Sequence, residues 1–187
     1  MEHLTTDALL AGLAEVRGAP ADDGRVELIV CRPAVDEREL LDEARLDPAE
    51  GLVGDTWRER GSAPDRQLTV MNARAAALVA ADPARRSLAG DQLYVDLDLG
   101  GENLPPGSRL EVGSAVIEIT YPPHRGCAKF AARFGRDALR LVNSPEGVEL
   151  NLRGVNARVV VAGTVRVGDP ARKVQGFAAP AGSSTST

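Results

Sequence analysis

The chain is poor in the residues that most often carry chemistry or recognition. Of its 187 residues only six are aromatic (Trp57, Tyr94, Tyr121, Phe130, Phe134 and Phe177), two are histidine and two are cysteine. No run of lysine or arginine occurs, and the formal net charge is −5. Nucleic-acid binding needs a basic footprint and stacking platforms, so no nucleic-acid partner is expected; a local basic pocket for a small anion stays open. Two cysteines in a chain this long do not make a disulfide framework. No apolar run approaches the roughly 20 residues of a membrane span. The start, "MEHLTTDALL", is acidic and has no signal-peptide hydrophobic region. Together these absences predict a cytoplasmic protein with no membrane partner.

What is present is ordinary apolar content, 43%, with 19 glycines and 12 prolines to supply turns. Residues 4–17, "LTTDALLAGLAEVR", read as a short amphipathic helix capped by Thr5 or Thr6, with Leu9, Leu13 and Val16 on one face. After the linker "GAPADDG" the pattern turns to strands: "RVELIVCRP", "RQLTVMN", "QLYVDLDL", "SRLEVG", "AVIEITY", "VELNLRG" and "ARVVVAGTVRVGD". In "QLYVDLDL" Leu93, Val95, Leu97 and Leu99 point one way, and Tyr94, Asp96 and Asp98 the other. Helical inserts are read in "NARAAALVAADP", capped by Asn72 and stopped by Pro83, in "AKFAARFG", and in "RDALRLVNSPEG". Short strands at close spacing, broken by Gly and Pro, predict a mainly β fold, an antiparallel β-barrel with short inserted helices. The expected division is an N-terminal helix and linker over 1–24, the barrel over 25–175, and a disordered tail over 176–187.

The segment "PPHRGCAKFAARFG" holds Cys127 between a strand and a helix. Pro122 and Pro123 force an extended turn, Gly126 frees the backbone, and the sulfur falls in or beside the first helical turn. Unpaired N–H groups there favour an anion. Arg125 and Lys129 add two cations close in sequence, and each effect lowers a thiol pKa. A thiolate attacks electrophiles and binds soft metals; the alternative is a small buried hydrophobe. Cys31, inside an apolar strand, reads as such a filler. His124 lies three residues before Cys127, so a Cys–His pair stays open, while a Cys/His zinc cluster is not expected because no second histidine is at hand. Arg153 and Arg158 flank "GVN" between two expected strands, as solvated edges or as anion ligands. Arg133, Arg136 and Arg140 read as a solvated helix face. Asn103, in the Gly-rich loop "GGENLPPG", either builds a turn or bonds a ligand.

The stretches "GLVGDTW", "DRQLTVMN", "GGENLPPGSRLEVGSAVIEIT", "RGCAKF" and "LRGVNARVVVAGTVRVGD", in that order over residues 25–170, resemble the MOSC domain. That domain is found at the C-terminus of molybdenum cofactor sulfurases and as stand-alone bacterial proteins. The resemblance implies a β-barrel of the MOSC or pyruvate-kinase-barrel-like kind and a link to molybdenum-cofactor chemistry. It implies for Cys127 the role of molybdenum ligand or sulfur carrier. The family's loop Asn falls on Asn103 and its "LRGV" Arg on Arg153. Pyridoxal phosphate binding attaches only to the family at large, because the sulfurase domain and any iron–sulfur motif are missing here.

Three functions follow as expectations. In the first, Cys127 ligates the metal of a molybdopterin cofactor. Arg125, Lys129, Arg153 and Arg158 meet its anionic phosphate, and Asn103 and His124 complete the site. An N-oxygenated small molecule is then reduced with electrons from a separate donor protein. In the second, Cys127 carries a persulfide received from a sulfur donor protein. In the third, the barrel is an interaction module and Cys127 is inert.

Overall fold

The alternation in "QLYVDLDL" becomes the wall of a closed barrel in the computed structural model, which describes residues 3–61 and 63–174. Its strands are β1 (Gly24–Cys31), β2 (Glu39–Leu41), β3 (Glu43–Asp47), β4 (Gly51–Leu52), β5 (Leu68–Asn72), β6 (Leu93–Asp96), β7 (Arg109–Val112), β8 (Ala115–Ile119), β9 (Val155–Val161), β10 (Gly163–Arg166) and β11 (Pro170–Lys173). Around the barrel the order is β1, β11, β7, β8, β9, β5, β6 and back to β1. All neighbours are antiparallel except β5 and β6. One edge of β1 carries β6; the other is shared by β11, at Gly24↔Ala171 and Arg25↔Pro170, and by β2 farther along. A smaller sheet, β10–β3–β4, packs Ala44, Leu46, Leu52 and Val165 against the same core.

Leu93, Val95, Leu97 and Leu99 turn into the barrel with Val26, Leu68, Val70, Leu110, Ile117 and Ala157. Each fully buried Leu or Val contributes roughly 1.5–3 kcal/mol relative to exposure, so this filled interior is a core and not a channel. Tyr94, Met71 and Val30 turn outward into a second core made with the helices. The alternating strand therefore feeds two cores at once.

The helices are α1 (Thr6–Ala11), α2 (Leu13–Arg17), α3 (Ala73–Ala80), α4 (Ala128–Phe134), α5 (Arg136–Asn143) and α6 (Pro145–Glu149). The helix expected over 4–17 is two pieces divided at Gly12, where an added Cβ would meet Leu78 Cδ1 at 2.3 Å. Its face is as read: Thr5 caps it, and Leu9, Leu13 and Val16 are buried. α3 makes the crossover between the parallel pair. Asn72 accepts hydrogen bonds from the N–H groups of Arg74 and Ala75 and donates to the Leu97 carbonyl, so one side chain caps the helix and ties it to the barrel.

One strand assignment fails. "VELNLRG" is the end of α6 followed by a turn. Ser144 accepts from the Gly147 N–H and Pro145 sits at the first helical position. That start signal overrides the alternation of Val148, Leu150 and Leu152. Asn151 then takes a left-handed φ of 46° and breaks the segment. No helix among the described residues is long and apolar enough to cross a membrane. The expected tail, 176–187, lies outside the described residues.

Candidate functional site around Cys127

The loop from β8 to α4 is pinned at both ends. Thr120 donates its N–H to the Asn156 carbonyl at 2.9 Å, and Asn156 Nδ2 donates to the Pro122 carbonyl at 2.9 Å. At the far end the Gly126 N–H donates to Asn143 Oδ1 at 3.0 Å, and Asn143 Nδ2 donates back to the Gly126 carbonyl at 3.1 Å. Any larger residue there would displace its neighbours, because an added Cβ would lie 2.8 Å from both Leu139 Cδ1 and Val142 Cγ2.

Cys127 follows as the N-cap of α4, with extended backbone and an exposed side chain. Its thiol lies below the ordinary range, chiefly because the backbone N–H of Phe130 acts on the sulfur. Partial burial opposes the shift; the Lys129 N–H and the charges of Arg153 and Arg133 add to it. Neither N–H closes a hydrogen bond to the side chain. The effect is therefore the field of the helix start rather than a formal cap.

Beneath the loop lies a buried charge cluster. Asp91 is fully buried, and its Oδ2 accepts from Arg153 Nη1 at 2.6 Å. Its Oδ1 stands 3.4 Å from His124 Nδ1, and neither of these atoms completes a hydrogen bond. Burial pushes the His124 pKa down to about 4, outweighing the attraction of Asp91, so the ring is neutral at pH 7. Arg153 is buried too, with its guanidinium 5.2 Å from the centre of the Phe130 ring.

Arginines hold the adjoining loop carbonyl by carbonyl. Arg133 donates to the Leu88 carbonyl at 2.8 Å, Arg153 to Ala89 at 3.0 Å and Arg32 to Gly90 at 3.1 Å. Arg32 also forks onto Asp55, at 2.7 and 2.9 Å. Arg38 and Arg133 flank Gly90, whose φ is 89°; an added Cβ would lie 3.3 Å from Arg38 Nη2 and 3.6 Å from Arg133 Nη1. Arg38 is held below the usual arginine range by burial and by the neighbouring charges of Arg133 and Arg32, and its Nε is buried without a partner. Cation crowded on cation, with an unsatisfied donor, is an arrangement an anion would relieve.

Of the residues singled out from the sequence, Cys127, His124 and Arg153 come together here. Lys129 reaches Asp36 at 3.5 Å, and Arg125 is exposed, with no hydrogen bond or ion pair among the described residues. Arg158 bonds Glu118 at 2.6 Å as its cross-strand neighbour on the barrel wall. Asn103 spends its amide on the carbonyls of Ala21 and Asp98 and on Lys173 Nζ, as a turn builder. Cys31 is buried in the barrel core, and burial pushes its thiol up. Arg133, read as solvated helix face, is instead an anchor of the site; it also pairs with Asp36 at 3.1 Å. Asp91, Arg32 and Arg38 carried no motif. Their only sequence signal is ionisable residues beside strands: Asp91 shortly before β6, Arg32 after β1 and Arg38 before β2.

Among the described residues no group of three or more His, Cys, Asp and Glu could hold a metal ion.

The MOSC domain family model matches residues 57–172. The fold is similar to YiiM from Escherichia coli, at 23% identity and TM-score 0.54, over 80% of this chain and 69% of that one. It is similar to the YuaD protein from Bacillus subtilis, at 19% identity and TM-score 0.55, over 81% of this chain and 97% of that one. YiiM from Geobacillus stearothermophilus shares 13% identity at TM-score 0.57, over 81% of this chain and 75% of that one. No curated protein matches in sequence. The family model spans more than half of the chain, and its span takes in the cysteine loop, Asp91 and Arg153: the chain belongs to the MOSC domain family.

Proposed function

We propose that this protein binds the molybdenum cofactor, with the Cys127 thiolate as a ligand of the metal and the arginines around Asp91 as anchors for the anionic part of the pterin. The family is associated with this cofactor. The observation that carries the reading is an exposed, acid-shifted thiol at the edge of a crowded arginine cluster in which Arg38 Nε lacks a partner. Those residues fit the group: Cys127 offers an exposed soft donor, and beside it Arg38, crowded by Arg133 and Arg32, holds a buried Nε without a partner.

When bound, the cofactor supplies a redox-active metal. The protein's residues do the rest. The helix start and the charges of Arg153 and Arg133 favour the thiolate of Cys127. Arg38 and Arg133 offer donors to phosphate. Neutral His124 adds no positive charge beside them. The reaction that suits this arrangement is reduction of an N-oxygenated small molecule, with electrons from a separate protein. A second reading, persulfide relay through Cys127 without stable metal, is favoured by the exposure of the thiol.

The test is metal analysis of protein purified from cells that make molybdopterin. Wild type should carry molybdenum, and Cys127→Ser should lose most of it, because a hydroxyl is a poor replacement for a soft thiolate. Arg38→Gln should weaken retention while leaving the sulfur in place. Wild type without molybdenum, but with a single-sulfur adduct on Cys127 by mass spectrometry, would replace this reading with the relay.

A further inference from the structure

Beside the cysteine loop lies a cavity of about 330 Å³ that no part of the reading above uses. Its walls are apolar: Leu104, Pro106, Ile119, Pro122, Val148 and Val155. His124 belongs to it as well, so the one ring lines the cavity and faces Asp91. Two exposed carboxylates, Glu102 and Glu149, also line it, and no lysine or arginine does. Neither carboxylate is paired with a cation among the described residues, whereas the arginines gather about Asp91 and Gly90.

Ligand sites for small molecules run from about 300 Å³ upward, with apolar walls and a few polar groups that orient the guest. This cavity meets the lower end of that range. Its charge decides the guest. Unneutralised carboxylates at an apolar mouth repel anions and attract a positive head, and His124, neutral at pH 7, adds no opposing charge.

We propose that this cavity binds a small apolar molecule carrying a protonated nitrogen, and, resting on the molybdenum-cofactor reading, that it seats the organic body of the substrate against the Pro122–His124 part of the loop that carries Cys127. Two electrons from the separate donor protein and two protons cleave an N–O bond to leave N–H and release the oxygen as water, so an amine-type head, protonated at pH 7, is the product and the acidic rim suits it.

The test uses three probes of one shape, benzylamine, benzyl alcohol and benzoate, titrated into metal-free protein and followed by amide NMR shifts. Benzylamine should shift Gly101, Val148 and Asn156 and bind about threefold or more tighter than benzyl alcohol, with benzoate weakest. Gly101 lines the cavity, and an added Cβ there meets nothing within 4 Å, so Gly101→Leu puts bulk at the cavity's rim without a clash at Cβ. It should weaken benzylamine about tenfold. Glu102→Gln with Glu149→Gln should bring benzylamine down to the alcohol. Benzoate binding as tightly as benzylamine, no shifts at the cavity residues, or unchanged binding in Gly101→Leu would each overturn the proposal. Because the titration needs no metal, it stands or falls apart from the cofactor reading. Gly101→Leu should keep its molybdenum, and loss of the metal in that variant would overturn the assignment of the cavity to substrate.

Discussion

Asn143 grips Gly126 by both its N–H and its carbonyl, at 3.0 and 3.1 Å, tying the last residue of α5 to the residue before the thiol. The sulfur therefore owes its place at the start of α4 to a side chain sixteen residues later. Replacing Asn143 by Ala removes both bonds. The expected cost is about 1–2 kcal/mol, seen as a fall of a few degrees in melting temperature. The alkylation midpoint of Cys127 should rise as the loop loosens. A variant that melts and alkylates like wild type would show that the clasp positions nothing.

Arg153 and Asp91 form a buried pair at 2.6 Å with side-chain exposures of 9% and 0%. Breaking a buried pair strands a charge, at a cost of about 3–5 kcal/mol. Arg153→Met should therefore destabilise strongly. Arg153→Met with Asp91→Leu should recover much of the loss, because no charge is left behind. Denaturant melts of the two variants make the comparison. Additive losses would mean the residues act separately.

The Cys127 thiol should be alkylated with a midpoint below the ~8.5 of a free thiol, measured as rate against pH with Cys127→Ser as the blank. The acting groups are the Phe130 and Lys129 N–H, Arg153 and Arg133. Lys129→Ala keeps its N–H and should leave the midpoint nearly unchanged, whereas Arg133→Gln should raise it. The reverse order would assign the effect to the lysine ammonium instead.

His124 links stability to pH. Its pKa falls from 6.5 to about 4 on burial, so between these values the unfolded chain binds the extra proton. Its contribution is full above pH 6.5, is lost as pH drops toward 4, and changes no further below. The span is about 3 kcal/mol. Wild type should lose stability over that interval more steeply than His124→Gln, which cannot titrate there. Parallel pH profiles would show that His124 is accessible enough to protonate in place.

The barrel was legible because its wall is written in period two: the alternation of Leu93, Val95 and Leu97 against Tyr94 survives as inside against outside. The Asn72 cap and the Leu9–Leu13–Val16 face were legible for the same reason, since each depends on neighbours in sequence. "VELNLRG" misled because its alternation is real, but the Ser144–Pro145 start imposes another geometry. At the site, Cys127 stood out through its local setting. Lys129 acts through its backbone N–H, where the sequence pointed to its ammonium. Arg133, Arg32 and Arg38 could not be found in advance, because what selects them is the Leu88–Asp91 loop, distant in sequence.

The seam between β1 and β11 joins Gly24 to Ala171 and Arg25 to Pro170. Pro170 has no N–H to give, so part of the join rests on neighbouring bonds, such as Val26 N–H to the Asp169 carbonyl and Gly168 N–H to the Val26 carbonyl. Partners this far apart in sequence carry a heavy loop-closure cost and are met late on a folding route. During synthesis the first strand emerges long before the strand that completes the cylinder exists. Until then β1 and β7 each present an open edge, and open edges are where chains pair with the wrong partner. The time this one join takes to close therefore bears on how long the nascent protein shows an open edge.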